Sequence, residues 1–467
     1  VPDTEAAPLP QQDEAPGPSR PTGRSFGRKL LYVCLLALVV RGAFVLIEKR
    51  DEPAIGDAIY YDAQANVNAD GDFFEHPFDG GPAADHPPLT AIVMTPVAFV
   101  FGDEILPKRL AMSVLGVAVV ALIGLLARDV SRSERVGVIA GVVAALYPNL
   151  WLNDALVMSE TIATLATAAV LLLAVRFHRR PTWGAAAVLG LACGLSVLAR
   201  AELALLVPFV VLPLALLSGD DGRGRRLGRA LLAGALSVLV VMPWTLWNTT
   251  RFEEPVLLSS NDGLTLIGAN CESMYYGKDI GVWDLVCAFA VDTDAATDQS
   301  EESVIYREAA LEYLGNQKSR MPVVALARVG RVWSVYAPGQ MVDYSAGAVD
   351  TCRAGQEDPC PGEGREAWAG WLGTVLFWVL APLAVFGTLV LRRRGRSWLD
   401  LLPVLMTFVV VTITAVLFYG LVRFRVPAEV GLVVLAAAGI DDLWSRWGRP
   451  SPPTDPEPAP EPALASS

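Results

Sequence analysis

Residues 30–47 read LLYVCLLALVVRGAFVLI, an apolar run whose one charge is Arg41. At 1.5 Å of rise per residue, such a helix is roughly 27 Å long, close to the ~30 Å hydrocarbon layer of a bilayer. Its residues are mainly Leu, Val and Ala, without the apolar–polar alternation of a membrane β-barrel strand. Comparable blocks recur at 110–127, 161–175, 183–199, 203–217, 230–247, 371–391, 399–420 and 427–443. The 467-residue chain is 53% hydrophobic and 18% charged, where soluble proteins carry about 25% charge. The fold class this predicts is all-α membrane, a polytopic helical bundle.

Charge gives the expected topology. Residues 1–23 are Pro-rich and polar, with neither the apolar core nor the small-residue cleavage site of a secretory signal. Arg24, Arg28 and Lys29 precede the first run, so residues 30–47 read as a signal-anchor helix with a cytoplasmic N-terminus. Basic loops follow at Arg128–Arg135, Arg176–Arg180, Arg223–Arg229 and Arg392–Arg396, and Arg446 and Arg449 flank the last run. All of them fall inside if about ten helices cross: 30–47, 110–127, 136–151, 161–177, 183–199, 203–218, 230–247, 369–391, 399–420 and 427–445. The run Pro88–Phe101 is then a juxtamembrane or re-entrant helix on the outer surface, because a crossing there would put every later basic loop outside. The amphipathic stretch Val323–Tyr336 reads the same way.

The expected organisation is a disordered cytoplasmic tail (1–27), a membrane core (28–247) containing the first outer loop (48–88), a large extracytoplasmic loop (248–368), C-terminal transmembrane helices (369–447) and a disordered cytoplasmic tail (448–467). The net charge of −12 is therefore acid outside and base inside. The large loops offer no basic face, which argues against a nucleic-acid partner. Cys34 and Cys193 lie in spans as small core residues. Cys271, Cys287, Cys352 and Cys360 lie in the long outer loop, an even number in an oxidising setting, which points to disulfides. Sequence alone leaves the pairing open. Cys271–Cys287 and Cys352–Cys360 are favoured because each closes a short loop. Neither pair has metal-type spacing.

Several segments carry a resemblance. The first outer loop reads GDAIYYDAQANVNADGDFF and ends in ADHPPLTAIV. Further on come AALYPNLWLNDALVMSET, LARAELALLVP, MPWTLWNTTRFEEPVLLSSNDGLTLIGANCESMYYG and VRFRVPAEVGLVVLAAAGI. In order and placement this chain resembles the GT-C glycosyltransferases. Within them it is similar to the branch of protein O-mannosyltransferases and lipid A aminoarabinose transferases, in particular to family 39-like members of actinobacterial type. The resemblance covers most of residues 28–445. It implies a GT-C-like bundle in the cell membrane, with its active face outside. It also implies a polyprenyl-phosphate sugar donor among membrane lipids, and transfer of a hexosyl or pentosyl group to a glycan, lipid or protein acceptor. The family often shows Pro-Trp-x-x-Arg-Asn. Here Trp247 stands in place of that Arg, so no donor-phosphate role carries over to it.

The residues support such chemistry independently. Transfer from a lipid phosphate needs no nucleotide site, and no Gly-rich phosphate loop occurs. It needs a base for the acceptor hydroxyl and cations for the leaving phosphate. Asp57, just past the first span, matches the family base; the competing reading is a helix-capping Asp. Asp62 is its rival and reads as a solvated carboxylate. Tyr60 and Tyr61 suit the membrane interface, and one of them, assigned as Tyr61, faces the sugar. His86 is stiffened by Pro87 and Pro88 and occupies a place where the family often has a Lys or His facing the phosphate; the alternative is a plain helix-start residue. His76 and His178 read as incidental. Glu160, after Ser159, serves either the site or the start of its helix. Arg200, Arg423 and Arg425 are cations at the outer ends of spans, contrary to the usual charge bias, which makes them candidate phosphate ligands. Arg200 has a second reading as a partner of Glu202. Arg41 reads as paired inside the bundle. No cofactor is demanded; a divalent cation is left open because a carboxylate and a His can hold one weakly.

Two other function classes compete. A lipid or glycan transporter or flippase would show internal repeats and polar groups at mid-membrane, whereas here the unusual charges cluster at outer helix ends. A glycan ligase or polymerase of related architecture is not separable by sequence.

Overall fold

The computed structural model describes residues 23–347 and 362–447. The Cys352–Cys360 pairing and both expected tails lie wholly or largely outside these residues. Among the described residues the architecture is all-helical, with one isolated bridge between Glu75 and Pro82. In chain order the α-helices are α1 (Gly23–Glu48), α2 (Asp57–Asp70), α3 (Leu89–Phe101), α4 (Ile105–Ser131), α5 (Glu134–Leu146), α6 (Pro148–Trp151), α7 (Ser159–Arg179), α8 (Trp183–Ala199), α9 (Leu212–Leu217), α10 (Arg223–Asn248), α11 (Asp262–Ile267), α12 (Glu272–Tyr275), α13 (Gln299–Asn316), α14 (Met321–Val332), α15 (Pro338–Ala346), α16 (Ala367–Arg393), α17 (Trp398–Leu417) and α18 (Val426–Trp447).

Every segment expected to cross is helical, but fewer than ten helices are long and apolar enough to do so on their own. Six qualify among the described residues: α1, α4, α7, α10, α16 and α17. A seventh is added if the bent pair Glu134–Leu146 and Pro148–Ala155 counts as one span. α8 and the segment 201–217 are shorter apolar helices. α18 is 22 residues long but carries Glu429, Asp441, Asp442 and Arg446.

Two expected straight helices are broken. The 136–151 segment bends by 69° because Pro148 has no N–H to continue α5 and forces Tyr147 into extended backbone (φ −78, ψ 115). In the 203–218 segment, the 3-10 turn Ala201–Leu205 and the π-turn Val207–Val211, which contains Pro208, precede α9. The bend after α5 has a purpose in packing. It carries the turn Leu152–Ala155 into the bundle, where Asp154 accepts from Arg41 Nε at 2.6 Å and from Thr161. A charge inside a bundle is costly unless paired. Gly116 of α4 makes the room, since a Cβ there would sit 2.0 Å from Asp154 Oδ2.

α1 shows the pattern of the whole bundle. It buries Val33, Ala37, Phe44 and Val45, and exposes Leu31, Leu35, Val39 and Ile47. A helix apolar on both its packed and exposed faces suits a lipid surround. The core of the bundle runs through Val119, Val120, Ile123, Leu171, Leu401 and Val433.

Charged loops separate to the two ends. At one end Asp129 takes Arg176 at 3.0 Å, Asp441 takes Arg135 at 3.1 Å and Arg394 at 2.9 Å, and Arg128 covers Phe26. At the other end of the same α4, Lys108 donates to Asp62 of α2 at 2.7 Å. Twenty residues of helix separate Lys108 from Arg128, about 30 Å. Asp62 is thus ion-paired and largely buried rather than a solvated carboxylate.

α3 packs on α2 and α4 and leaves Ile92, Phe99, Val100 and Phe101 exposed. α14 packs against α17 and leaves Val323 and Leu326 exposed. It ends at Val332, short of the expected Tyr336, because Ser334 and Ala337 take left-handed backbone conformations (φ 54 and 45). Arg328 and Arg331, both buried, donate to the Ala269, Val416, Ile280 and Lys278 carbonyls and fasten the large loop to the bundle. The Cys271–Cys287 disulfide is present within that loop.

Candidate active site

α2 places the central carboxylate. Gly56 turns the chain with φ +59, and Asp57 is the first helical residue. A carboxylate there is favoured by the unpaired N–H groups of the first turn. Tyr61 lies one turn on, hence on the same face. The α2 face carrying Tyr60, Tyr61 and Ala65 packs on Met94, Ala98 and Met112, which fixes Asp57 beside the bundle.

Four further chain segments converge on it. His86, ahead of Pro87 and Pro88, stacks on Tyr61 with ring centroids 4.9 Å apart, and its ring nitrogens make no hydrogen bond among the described residues. Ser159 and Glu160 open α7. Arg200 ends α8 in extended backbone; it donates to Glu202 at 2.5 Å and Glu160 at 2.9 Å, and covers the Phe424 ring at 5.1 Å. Its Nη2 is not engaged among the described residues. Arg423 sits on the 3-10 turn Val422–Arg425. It donates to Asp57 Oδ2 at 2.7 Å through Nη1 and to Tyr419 at 3.3 Å, and its Nε pairs with Glu363 at 3.2 Å.

These contacts set the protonation states. Burial works against the Asp57 carboxylate, but Arg423, His86 and Arg200 outweigh it and hold its pKa well below the usual carboxylate range. Burial likewise opposes the charge on Arg423, and Asp57, Tyr419 and Glu363 reverse the effect, leaving it firmly protonated. Burial and the neighbouring Asp57 charge push the Tyr61 phenol up, so it stays neutral.

Two cavities meet here. The smaller, of about 180 Å³, is lined by His86, Tyr61, Ser159, Arg200, Thr414 and Phe418 among others. The larger, of about 400 Å³, opens among residues of the large loop, including Asp279, Trp283, Phe289, Tyr344 and Glu363. Asp57 and Arg423 are the two described residues that line both. A carboxylate between two chambers, the smaller of them lined by Arg200 and His86 as well as by the acids Glu202 and Asp262, can take a proton from a molecule in one chamber while charge develops in the other beside the cations.

Asp57, Tyr61, His86, Glu160, Arg200 and Arg423 thus come together, although Glu160 lies behind Arg200 rather than on a cavity wall. Arg425 does not join them. It is fully buried, pairs with Glu429 at 2.6 Å, donates to Ser334 at 2.9 Å and lies 3.8 Å over the Phe377 ring. The tight turn aims residues 423 and 425 in different directions. Ser159 does not cap α7: Met158 occupies the cap position without a side-chain bond. His76 pairs with Asp79 and Asp85, and His178 with Ser218. Glu363 and Arg365, which pair at 3.4 Å, escaped the sequence reading. The one available signal was a Glu-Gly-Arg cluster directly before a span. Among the described residues no group of three or more His, Cys, Asp or Glu side chains is arranged to hold a metal.

The comparisons agree with this architecture. Residues 85–247 match the family model described as dolichyl-phosphate-mannose-protein mannosyltransferase. No curated protein matches the chain. Among solved structures, the oligosaccharyltransferase AglB of the archaeon Archaeoglobus fulgidus, in complex with an inhibitory peptide and a dolichol-phosphate, aligns with TM-score 0.52 and 15% identity over 91% of this chain and 51% of its own. The same enzyme with Zn and sulfate aligns with TM-score 0.54 and 14% identity over 90% of this chain and 49% of its own. ArnT from Cupriavidus metallidurans, bound to undecaprenyl phosphate, gives TM-score 0.44 and 15% identity over 91% of this chain and 79% of its own, too slight a likeness to bear on the fold. The chain spans about half the length of the oligosaccharyltransferase chains it matches.

The family match over part of the chain and the likeness in fold both make it similar to the GT-C membrane glycosyltransferases. The matched stretch, which begins at Asp85 and takes in His86, Glu160 and Arg200, is similar to the protein mannosyltransferase family.

Proposed function

We propose that this protein transfers a single hexosyl or pentosyl group from a polyprenyl-phosphate donor to a cell-envelope or protein acceptor on the extracytoplasmic side, with Asp57 as general base. The observation that carries the reading is the Asp57–Arg423 pair shared by the two cavities. The donor's phosphate lies in the smaller cavity, against His86 and the free edge of Arg200. The acceptor hydroxyl attacks the anomeric carbon from the Asp57 side. Its proton passes to Asp57 Oδ1, which takes no hydrogen bond among the described residues, the bond from the anomeric carbon to the phosphate oxygen breaks, and the electron pair leaves with the polyprenyl phosphate. Attack opposite the leaving group inverts the anomeric centre. A well-placed base contributes about 10²–10⁴-fold. The basic end of the bundle belongs in the cytoplasm by the positive-inside rule, which supports the reading of an extracytoplasmic site. The dolichol-phosphate in the AglB complex is a ligand of the same chemical kind.

The test is transfer by purified protein in lipid nanodiscs supplied with polyprenyl-phosphate mannose and, separately, a pentosyl donor. Asp57→Asn keeps the shape and removes the base, so transfer should collapse while the protein still folds, with a lowered unfolding temperature because the pair with Arg423 is lost. Near-wild-type transfer by folded Asp57→Asn rules out the base. Movement of the lipid across the bilayer without cleavage of the sugar–phosphate bond makes the protein a transporter.

A further inference from the structure

We infer that the larger cavity is the acceptor subsite and that it is shaped for an uncharged saccharide rather than an anionic lipid headgroup or an extended peptide. The inference rests on the assignment of Asp57 as the base, because Asp57 and Arg423 form the wall between the two cavities.

Charge is the first argument. Among the described residues, the wall carries Asp57, Asp279, Asp284 and Glu363 against the single guanidinium of Arg423. A phosphate- or carboxylate-bearing acceptor would enter against this surplus, and like-charge juxtaposition disfavours a partner strongly. Hydroxyl groups meet the same wall as donors. Glu363 is ready for them. It is only 8% exposed and holds ion pairs to Arg423 at 3.2 Å and Arg365 at 3.4 Å, yet neither carboxylate oxygen accepts a hydrogen bond among the described residues. Such a buried acceptor is costly to leave unmatched.

Aromatic surface is the second argument. Trp283, Phe289 and Tyr344 face the cavity, and Phe289 is 68% exposed. A sugar ring offers an apolar C–H face to such rings while its edge hydroxyls reach carboxylates, so it uses both kinds of wall at once. The turn Leu285–Ala290, which carries Phe289, contains Cys287 and is tied by the disulfide to Cys271. The aromatic wall is therefore held in place before binding, which reduces the ordering cost. A peptide binding as an added strand needs a sheet edge, and the described residues include no strand. The volume of about 400 Å³ falls within the range of roughly 300–1,000 Å³ usual for small-molecule sites.

The experiment measures binding without donor, so it stands apart from catalysis. Nanodisc-embedded protein is titrated by calorimetry and saturation-transfer NMR with maltotriose, with a trisaccharide of equal size ending in a uronate, and with a capped Ser/Thr-containing hexapeptide. Maltotriose should bind saturably, the uronate sugar at least tenfold more weakly, and the peptide not at all. Phe289→Ala, a change at an exposed ring, should raise the maltotriose dissociation constant at least fivefold. Asp279→Asn should narrow the gap between the neutral and uronate sugars. Equal binding of the two sugars, preference for the peptide, or maltotriose binding indifferent to Phe289→Ala would each overturn the inference. Saccharide binding that persists in a protein with no transfer activity would refute the proposed function alone. Transfer to a peptide or lipid without saccharide binding would refute this inference alone.

Discussion

Arg423 and Asp57 are 366 residues apart in sequence and 2.7 Å apart in space, Nη1 donating to Oδ2. The contact joins the turn before α18 to the first residue of α2. It holds the Asp57 carboxylate ionised and fixes where it points.

That relationship predicts a pH effect. Burial favours protonation of Asp57, and Arg423 leads the interactions that outweigh it, so the pKa lies well below the ordinary carboxylate value. Wild-type kcat/KM should therefore show no acid limb from Asp57 in the range where carboxylates usually titrate. Arg423→Gln removes the main opponent of burial, so the pKa rises and an acid limb should move up into that range. The stability linkage has the same sign: the pair stabilises the fold above the unfolded-state pKa of Asp57, and that contribution is lost as pH falls through the lowered folded-state value. An acid limb at the same pH in wild type and Arg423→Gln would remove Asp57 from the rate equation.

Arg200 makes a second prediction. Its Nε and Nη1 are committed to Glu202 and Glu160, leaving Nη2 for a phosphate. Lysine cannot hold two carboxylates in a fixed fork and still present a donor. Arg200→Lys should lower kcat by about 10²–10³, the usual cost of losing one electrostatic donor to a developing charge, with a much smaller change in KM. An unchanged kcat would make Arg200 a structural partner of its two carboxylates.

How much of this was legible in the sequence depends on where each residue sits. The helices were readable because apolar runs of membrane length have few alternative uses. The bend at Pro148 was less so, since nothing in a one-dimensional pattern says that Asp154 must reach Arg41. Asp57, Tyr61, His86, Arg200 and Arg423 were visible as charges or aromatics at outer helix ends. Arg425 carried the same signal and is instead buried against Glu429, because a tight turn separates neighbours two apart. Glu363 was hidden among many loop acids whose ordinary use is solubility, and only its contact with Arg423 distinguishes it.

The Arg41–Asp154 pair should be a major stabiliser of the bundle only so long as both partners remain. Arg41→Met leaves a buried carboxylate uncompensated and should cost about 3–5 kcal/mol, whereas the double change Arg41→Met with Asp154→Leu should recover much of it. Gly116→Ala should mimic the single change, because a Cβ there would displace the pair. Thermal unfolding in detergent separates these cases; a double variant as unstable as the single would show that shape rather than charge is at stake.

The Cys271–Cys287 disulfide closes a loop with a sequence separation of 16, and closure of such a loop is worth about 3 kcal/mol. Alkylation of unreduced, denatured protein should leave both residues unmodified, and Cys271→Ser with Cys287→Ser should increase proteolysis of the large loop before the bundle unfolds. Modification of both without reductant would contradict the bridge.

Sidedness gives the last prediction. The loops ending in Arg128–Arg135, Arg176–Arg180 and Arg392–Arg396 gather at one end of the bundle, joined through Asp129 and Asp441, and Asp57 lies at the other. Reporter fusions after Arg132, Arg225 and Arg394 should report cytoplasm, and fusions near Asp79 and Asp298 the outside. The decisive segment is α3. Its 13 residues span about 20 Å as a helix, well short of the ~30 Å hydrocarbon layer, so it cannot cross alone and does not invert the parity of the later helices. An outside report at Arg225 would mean that α3 crosses after all, or that one of the other short apolar helices, α8 or 201–217, does not. The chain would then have to carry its basic loops against the usual charge bias, and the site could no longer be placed outside on that ground.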